Sequence, residues 1–148
     1  GEVGTVMGWG YQGRAVEELT STLKTWRAHT LVDVRLNPVS RKPGFSKRAL
    51  ARLCEDLGVG YEHLPALGNP RDNRDGFADP DSQAGREAHQ RFSTEVLDTS
   101  DAQTALARVD DLARSGLVVL LCFEASEREC HRSLILAALR RQRRTALV

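Results

Sequence analysis

Cysteine is scarce in this 148-residue chain, with three in all, Cys54, Cys122 and Cys130. An odd, small number beside ample apolar residues argues against a disulfide framework and for a reducing compartment, which makes the cytoplasm the expected location. Long apolar runs are missing too. The longest, Leu117 to Phe123, is seven residues, where a membrane-spanning helix needs about 20. No charged, then apolar leader opens the chain at Gly1, so no signal peptide and no membrane partner is expected. Neither sign of charge is in excess: 21 basic and 20 acidic side chains leave +1, unlike the overall basicity of a dedicated nucleic-acid binder. Lysine is nearly absent, however, so the basic set is 18 Arg and 3 Lys. Arginine suits planar, two-armed recognition of phosphate or carboxylate, although a compositional bias toward Arg accounts for the number equally well.

What is present is ordinary for a globular chain: 41% hydrophobic and 28% charged residues, excluding a fibre or a disordered polypeptide. The length fits one domain over residues 1–148. Buried strands are expected at Thr30–Val34 and Leu117–Phe123, with weaker ones at Val3–Trp9 and Val59–His63, from their length and β-branched content. Helical spacing joins Val16, Leu19, Leu23 and Trp26, and again Leu50, Leu53, Cys54 and Leu57 between a Ser46 cap and Gly58. A further helix is expected from a Ser100/Asp101 cap to Gly116, and a last one from Ser126, carrying Cys130, Leu134, Ala137 and Ala138 inward. Leu67 to Asp81 lacks periodicity and reads as a long functional or mobile loop. Strand and helix alternate, which predicts an α/β chain with a single-domain, Rossmann-like, three-layer αβα fold and a mostly parallel sheet.

In such sheets ligands bind beyond the carboxyl ends of the strands. That edge collects Trp9 and Tyr11, then Asp33, Arg35, Ser40 and Arg41, then His63, and finally Cys122, Glu124, Cys130, His131 and Arg132. These residues resemble the DUF488 family, through Met7-Gly8-Trp9-Gly10-Tyr11, Leu31-Val32-Asp33-Val34-Arg35 with Pro38, Ser40 and Arg41, Tyr61-Glu62-His63-Leu64-Pro65 with Leu67-Gly68, and Leu121-Cys122-Phe123-Glu124 followed by Cys130-His131-Arg132. The resemblance implies an α/β fold and supplies no reaction. It also implies a strand after the last helix, for which Arg140 to Val148 leaves little room.

The motifs support several chemistries. Cys122, Glu124, Cys130 and His131 invite a metal reading, with His63 completing a set with the two cysteines and His131, but adjacent residues 130 and 131 point about 100° apart on a helix and chelate one ion poorly, so no metal residue is assigned. Cys122 to Arg128 has the Cys-x5-Arg spacing of a phosphate cradle, against which stand Glu124, Glu127 and the lack of glycine. Gly8, Gly10 and Gly13 with Asp33 satisfy a dinucleotide spacing that is common by chance. The preferred reading is an enzyme site with Cys130, His63, Glu124, His131 and Cys122 nearest the chemistry. Arg35, Arg41, Arg132, Ser40, Asp33, Trp9 and Tyr11 would then hold an anionic nucleotide, nucleic acid or phosphorylated metabolite. No cofactor is assigned. Its competitors are a buried, inert Cys130 with Arg132 paired to Asp33 or Glu124, a metal-binding protein, and a nucleic-acid-binding module using Arg140–Arg144 with Arg71, Arg74, Arg86 and Arg91.

Overall fold

The computed structural model describes residues 5–38 and 40–146, without the side chains of Glu127 and of residues 143–146. Val3, the expected start of the first strand, lies outside them, as do Val39, Leu147, Val148 and the side chains of Arg143 and Arg144. Four strands, β1 (Val6–Gly10), β2 (Thr30–Asp33), β3 (Gly60–His63) and β4 (Val118–Cys122), form one sheet in the order β1-β4-β2-β3. Every pairing is parallel, and the central strand β4 aligns Val118 with Val6 on one side and with Thr30 on the other. Helices cover both faces, giving the three-layer αβα architecture.

Alternate residues of each strand point to opposite faces, and the two cores follow that period. On one face Trp9, Leu31, Val119 and Leu121 pack against Leu19 and Leu23 of α1 (Val16–Thr25) and Leu50 and Cys54 of α2 (Lys47–Leu57). On the other, Val32, Val118 and Leu120 meet α3 (Gln83–Phe92), α4 (Ser100–Ala113) and α5 (Arg132–Ala146). β4 is buried at every position, which is why it reads as an unbroken apolar run.

Helix ends show where local chemistry prevailed. Ser46 caps α2, its Oγ accepting from Ala49 N at 3.2 Å, and Gly58 ends it at φ 72°, both as expected. For α4 the cap is Thr99, not Ser100 or Asp101: the Thr99 Oγ1 accepts from Ala102 N at 3.1 Å. The last helix begins at Arg132, six residues after Ser126; Glu127–Glu129 is instead a single 3₁₀ turn. The Glu124 and Ala125 carbonyls are held sideways by the Arg132 guanidinium, so the chain turns back before the helix starts. Its inward face is accordingly Ile135, Leu136, Ala138 and Leu139, with Leu134 and Ala137 only partly covered.

The expected loop from Leu67 to Asp81 is a chain of 3₁₀ turns over Arg71–Asn73 and Asp75–Ala78. Phe77 is buried in the core, and Asn73 Nδ2 bonds both Asn69 Oδ1 and the Ala88 carbonyl at 3.0 Å. Its anchors are one aromatic ring and two amides, which have no helical or strand period. No strand follows α5 among the described residues, and none of their helices is long and apolar enough to cross a membrane.

Candidate functional site

The chain leaves β1 and β2 toward α1 and α2 on one face, and leaves β4 toward α5 on the other. Departures in opposite directions open a crevice at the carboxyl ends of these strands, the place where open α/β sheets hold ligands. Here it is a cavity of about 340 Å³, lined by Tyr11, Arg35, Leu36, Asn37, Arg74, Cys122, Phe123, Glu124 and His131. A larger hollow of about 440 Å³ beside α2, lined by residues such as Val16, Ala49 and Leu53, holds none of the expected site residues.

Cys122 and Cys130 meet sulfur to sulfur, with Cα atoms 7.5 Å apart, wider than a relaxed disulfide spans. The pairing arises because Cys122 ends β4 and Cys130 sits just before α5, and the turn between them folds back on itself. Cys54 is buried in the α2 core, and burial pushes its thiol up to about 11. The two sulfurs have different neighbours. Arg132 Nη1 donates to Cys122 Sγ at 2.7 Å and to the Glu124 carbonyl at 2.6 Å, while Nη2 donates to the Ala125 carbonyl at 3.0 Å. Cys130 Sγ instead lies 3.6 Å from His131 Nδ1.

The His131 tautomer follows from its other contact. Nε2 lies 2.9 Å from the Val34 carbonyl, which only accepts, so Nε2 carries the hydrogen and Nδ1 presents a lone pair to Cys130. Burial is the main cause that pushes the imidazole down to about 4, partly opposed by the Val34 bond and reinforced by the charges of Arg74 and Arg132. His131 is therefore neutral near pH 7. Cys130 thus faces a lone pair and Cys122 a cation.

A second network fixes the floor. Asp33 is fully buried; its Oδ1 accepts from Arg35 Nε at 2.8 Å and its Oδ2 from Arg35 Nη2 at 2.6 Å and from Tyr61 Oη at 2.6 Å. Arg35 Nη1 goes to the Phe45 carbonyl at 2.7 Å. Burial opposes the Arg35 charge, but Asp33 outweighs it and raises the guanidinium pKa; burial and then Asp33 also raise the Tyr61 hydroxyl. His63 Nε2 donates to the Arg35 carbonyl at 2.7 Å, so this histidine positions backbone.

The expected site residues thus separate. Tyr11, Arg35, Cys122, Glu124 and His131 line one cavity, with Cys130 and Arg132 directly behind it. Asp33 and His63 support it from outside its lining. Trp9 is 4% exposed, stacked on Phe45 beneath the Arg14 guanidinium, which leaves its ring no face for a base. Ser40 accepts from Lys42 N in a turn, and Arg41 is exposed; neither lines the cavity. The Cys-x5-Arg cradle does not form, because Arg128 points to the surface and pairs with Asp81 at 3.0 Å. Among the described residues, Cys122, Glu124 and Cys130 place ligand-type atoms within 4.8 Å of one another, without His63. Sequence reasoning put Arg74 on a nucleic-acid surface and missed it as a cavity residue. It comes from the aperiodic 3₁₀ chain, where no pattern signals which way a side chain turns.

No curated protein and no solved structure matches this chain. A family model described as a domain of unknown function matches residues 15–139, a span that takes in the Asp33–Arg41, Tyr61–Gly68 and Cys122–Arg132 blocks and begins after β1. With most of its length matched, including three of the sheet's four strands, the chain belongs to the DUF488 family.

Proposed function

We propose that the crevice is the site of a thiol-dependent enzyme acting on a small anionic substrate, with Cys122 as the nucleophile. One observation carries the reading: Arg132 Nη1 donates to Cys122 Sγ at 2.7 Å on the wall of a cavity that Arg35 and Arg74 also line. A buried guanidinium beside sulfur stabilises thiolate over thiol, and thiolate is the attacking species. Arg35 is paired through Nε and Nη2 with Asp33 and bonded through Nη1 to the Phe45 carbonyl, so it shapes the wall, whereas exposed Arg74 is placed to meet an incoming anion. Glu124 stands at the same wall as the group to exchange a proton with the substrate's leaving atom.

The test is the pH profile of Cys122 alkylation in reduced, folded protein. Cys122 should alkylate fastest of the three cysteines at neutral pH, with an apparent pKa below the ordinary thiol value of about 8.5. Arg132→Gln should raise that pKa, Arg132→Lys should restore part of the shift, and inorganic phosphate should slow the reaction by occupying the cavity. A Cys122 inert at neutral pH, or a profile indifferent to Arg132→Gln, would overturn the proposal.

A metal centre is the second reading, favoured by the closeness of the Cys122, Glu124 and Cys130 ligand atoms. Opposing it, the guanidinium at Cys122 repels a cation. Elemental analysis of protein purified under reducing conditions decides: zinc or iron near one per chain supports it, and trace amounts remove it.

A further inference from the structure

We infer that Cys122 and Cys130 form a two-electron dithiol–disulfide couple with divided labour, Cys122 as the attacking sulfur and Cys130 as the resolving sulfur, whose partner is a low-molecular-weight disulfide bearing carboxylates. The inference rests on the reading of Cys122 as a nucleophile and adds the second thiol, the order of events and the substrate class.

Three observations divide the labour. Cys122 lines the cavity and Cys130 does not, although both residues are only 1% exposed, so a small molecule in the crevice meets Cys122 first. Arg132 donates to Cys122 Sγ, and neutral His131 offers Cys130 only a lone pair. The attacking sulfur is therefore the ionised one and the resolving sulfur carries a proton. Finally, the two sulfurs are already in contact, with Cα atoms 7.5 Å apart, so the resolving step needs only a small local approach of the turn before α5 toward β4. The substrate class follows from the lining. Exposed Arg74 at the rim favours a carboxylate on the incoming molecule, and a cavity of about 340 Å³ is of the size that takes a small molecule.

The steps balance. The Cys122 thiolate attacks one sulfur of the disulfide RSSR; the R–S–S–R bond breaks, a Cys122–S–SR bond forms, and RS⁻ leaves to be protonated by water. Cys130 then gives its proton to water and, as thiolate, attacks the Cys122 sulfur; the Cys122–SR bond breaks, a Cys122–Cys130 bond forms, and the second RS⁻ leaves and is protonated to RSH. The protein has lost two electrons and two hydrogens, and RSSR has become two RSH. An external thiol entering the cavity at Cys122 reverses the sequence, with Cys130 as leaving group.

Oxidised and reduced glutathione serve as the probe. Wild-type protein equilibrated at graded ratios, quenched by alkylation and mapped by mass spectrometry, should pass from two free thiols to a Cys122–Cys130 link with the square-law dependence on reduced glutathione that a two-electron couple requires. Cys130→Ser, with Cys130→Ala as a second variant, should accumulate a glutathione adduct on Cys122. Cys122→Ser should form an adduct on Cys130 about tenfold more slowly or worse. Absence of the 122–130 link in wild type at every ratio, or preferential adduct on Cys130, overturns the inference. The two proposals fail separately. Fast alkylation of Cys122 without a link refutes the couple alone, and a link with an ordinary, slow Cys122 refutes the nucleophile.

Discussion

Asp33 and Arg35, two residues apart at the carboxyl end of β2, close on each other through two parallel bonds, Nε to Oδ1 at 2.8 Å and Nη2 to Oδ2 at 2.6 Å, with both side chains buried. Removing one partner strands a charge away from water, which costs about 3–5 kcal/mol, whereas removing both is far milder. Arg35→Met should therefore lower the unfolding free energy by that amount, and Asp33→Asn/Arg35→Met should recover a large part of it. Urea denaturation of the singles and the double measures this. Additive losses would show that the pair is not coupled.

Gly10, the last residue of β1, is required by a close approach. A Cβ there would overlap the Glu124 carbonyl and come within 2.8 Å of Arg132 Nη1. Both belong to the contact that holds Cys122. Gly10→Ala should push the 124–125 segment away, cost about 1–3 kcal/mol as overpacking does, and slow Cys122 alkylation at neutral pH. Alkylation kinetics beside a melting curve separate local displacement from global loss. An unchanged rate would show that the Arg132 contact tolerates the shift.

The Arg132 contact also shows what sequence could and could not foretell. Alternating strand and helix fixed the sheet type, and the strand-end rule brought Tyr11, Arg35, Cys122, Glu124 and His131 onto one list because strand ends are local properties. Which atoms meet is not local. Asp33 pairs with Arg35 two residues away, where the sequence offered Arg132 as a competing partner for Asp33 or Glu124; Arg132 turns instead to Cys122 and the Glu124 and Ala125 carbonyls. The facing of Cys122 and Cys130 was hidden for a similar reason. A Ser126 capping pattern suggested an early helix, and only the carbonyls turned toward Arg132 make the chain fold back.

His131 ties stability to pH. Its folded-state pKa of about 4 lies below the ordinary histidine value of 6.5, chiefly through burial. The unfolded chain therefore takes up a proton first. Stability from this group is complete above about pH 6.5, declines as pH falls, and levels off below about pH 4, a loss on the order of 3 kcal/mol. His131→Gln should flatten that part of the curve, seen as a smaller difference in urea midpoint between pH 7 and pH 4.5 than in wild type. An equal slope in both proteins would assign the acid sensitivity to other groups.

Arg74 offers the cleanest separation of function from folding. Its side chain is exposed and makes one long contact, Nε to the Asn69 carbonyl at 3.5 Å, so Arg74→Ala should change stability by no more than about 0.5 kcal/mol. Its charge nevertheless reaches the cavity, where it is one cause of the lowered His131 pKa. An anion entering the crevice gains from that charge before it reaches Cys122, so losing it should weaken binding by several-fold, a difference of about 1 kcal/mol. Phosphate protection of Cys122 against iodoacetamide reads this directly. Arg74→Ala should need several-fold more phosphate for half-protection, Arg74→Glu more still, and neither should alter the alkylation rate much in the absence of anion. Full protection at the wild-type concentration in Arg74→Glu would mean that the anion sits elsewhere, and the Arg35 and Arg132 side of the crevice would then have to bind it without help from the rim.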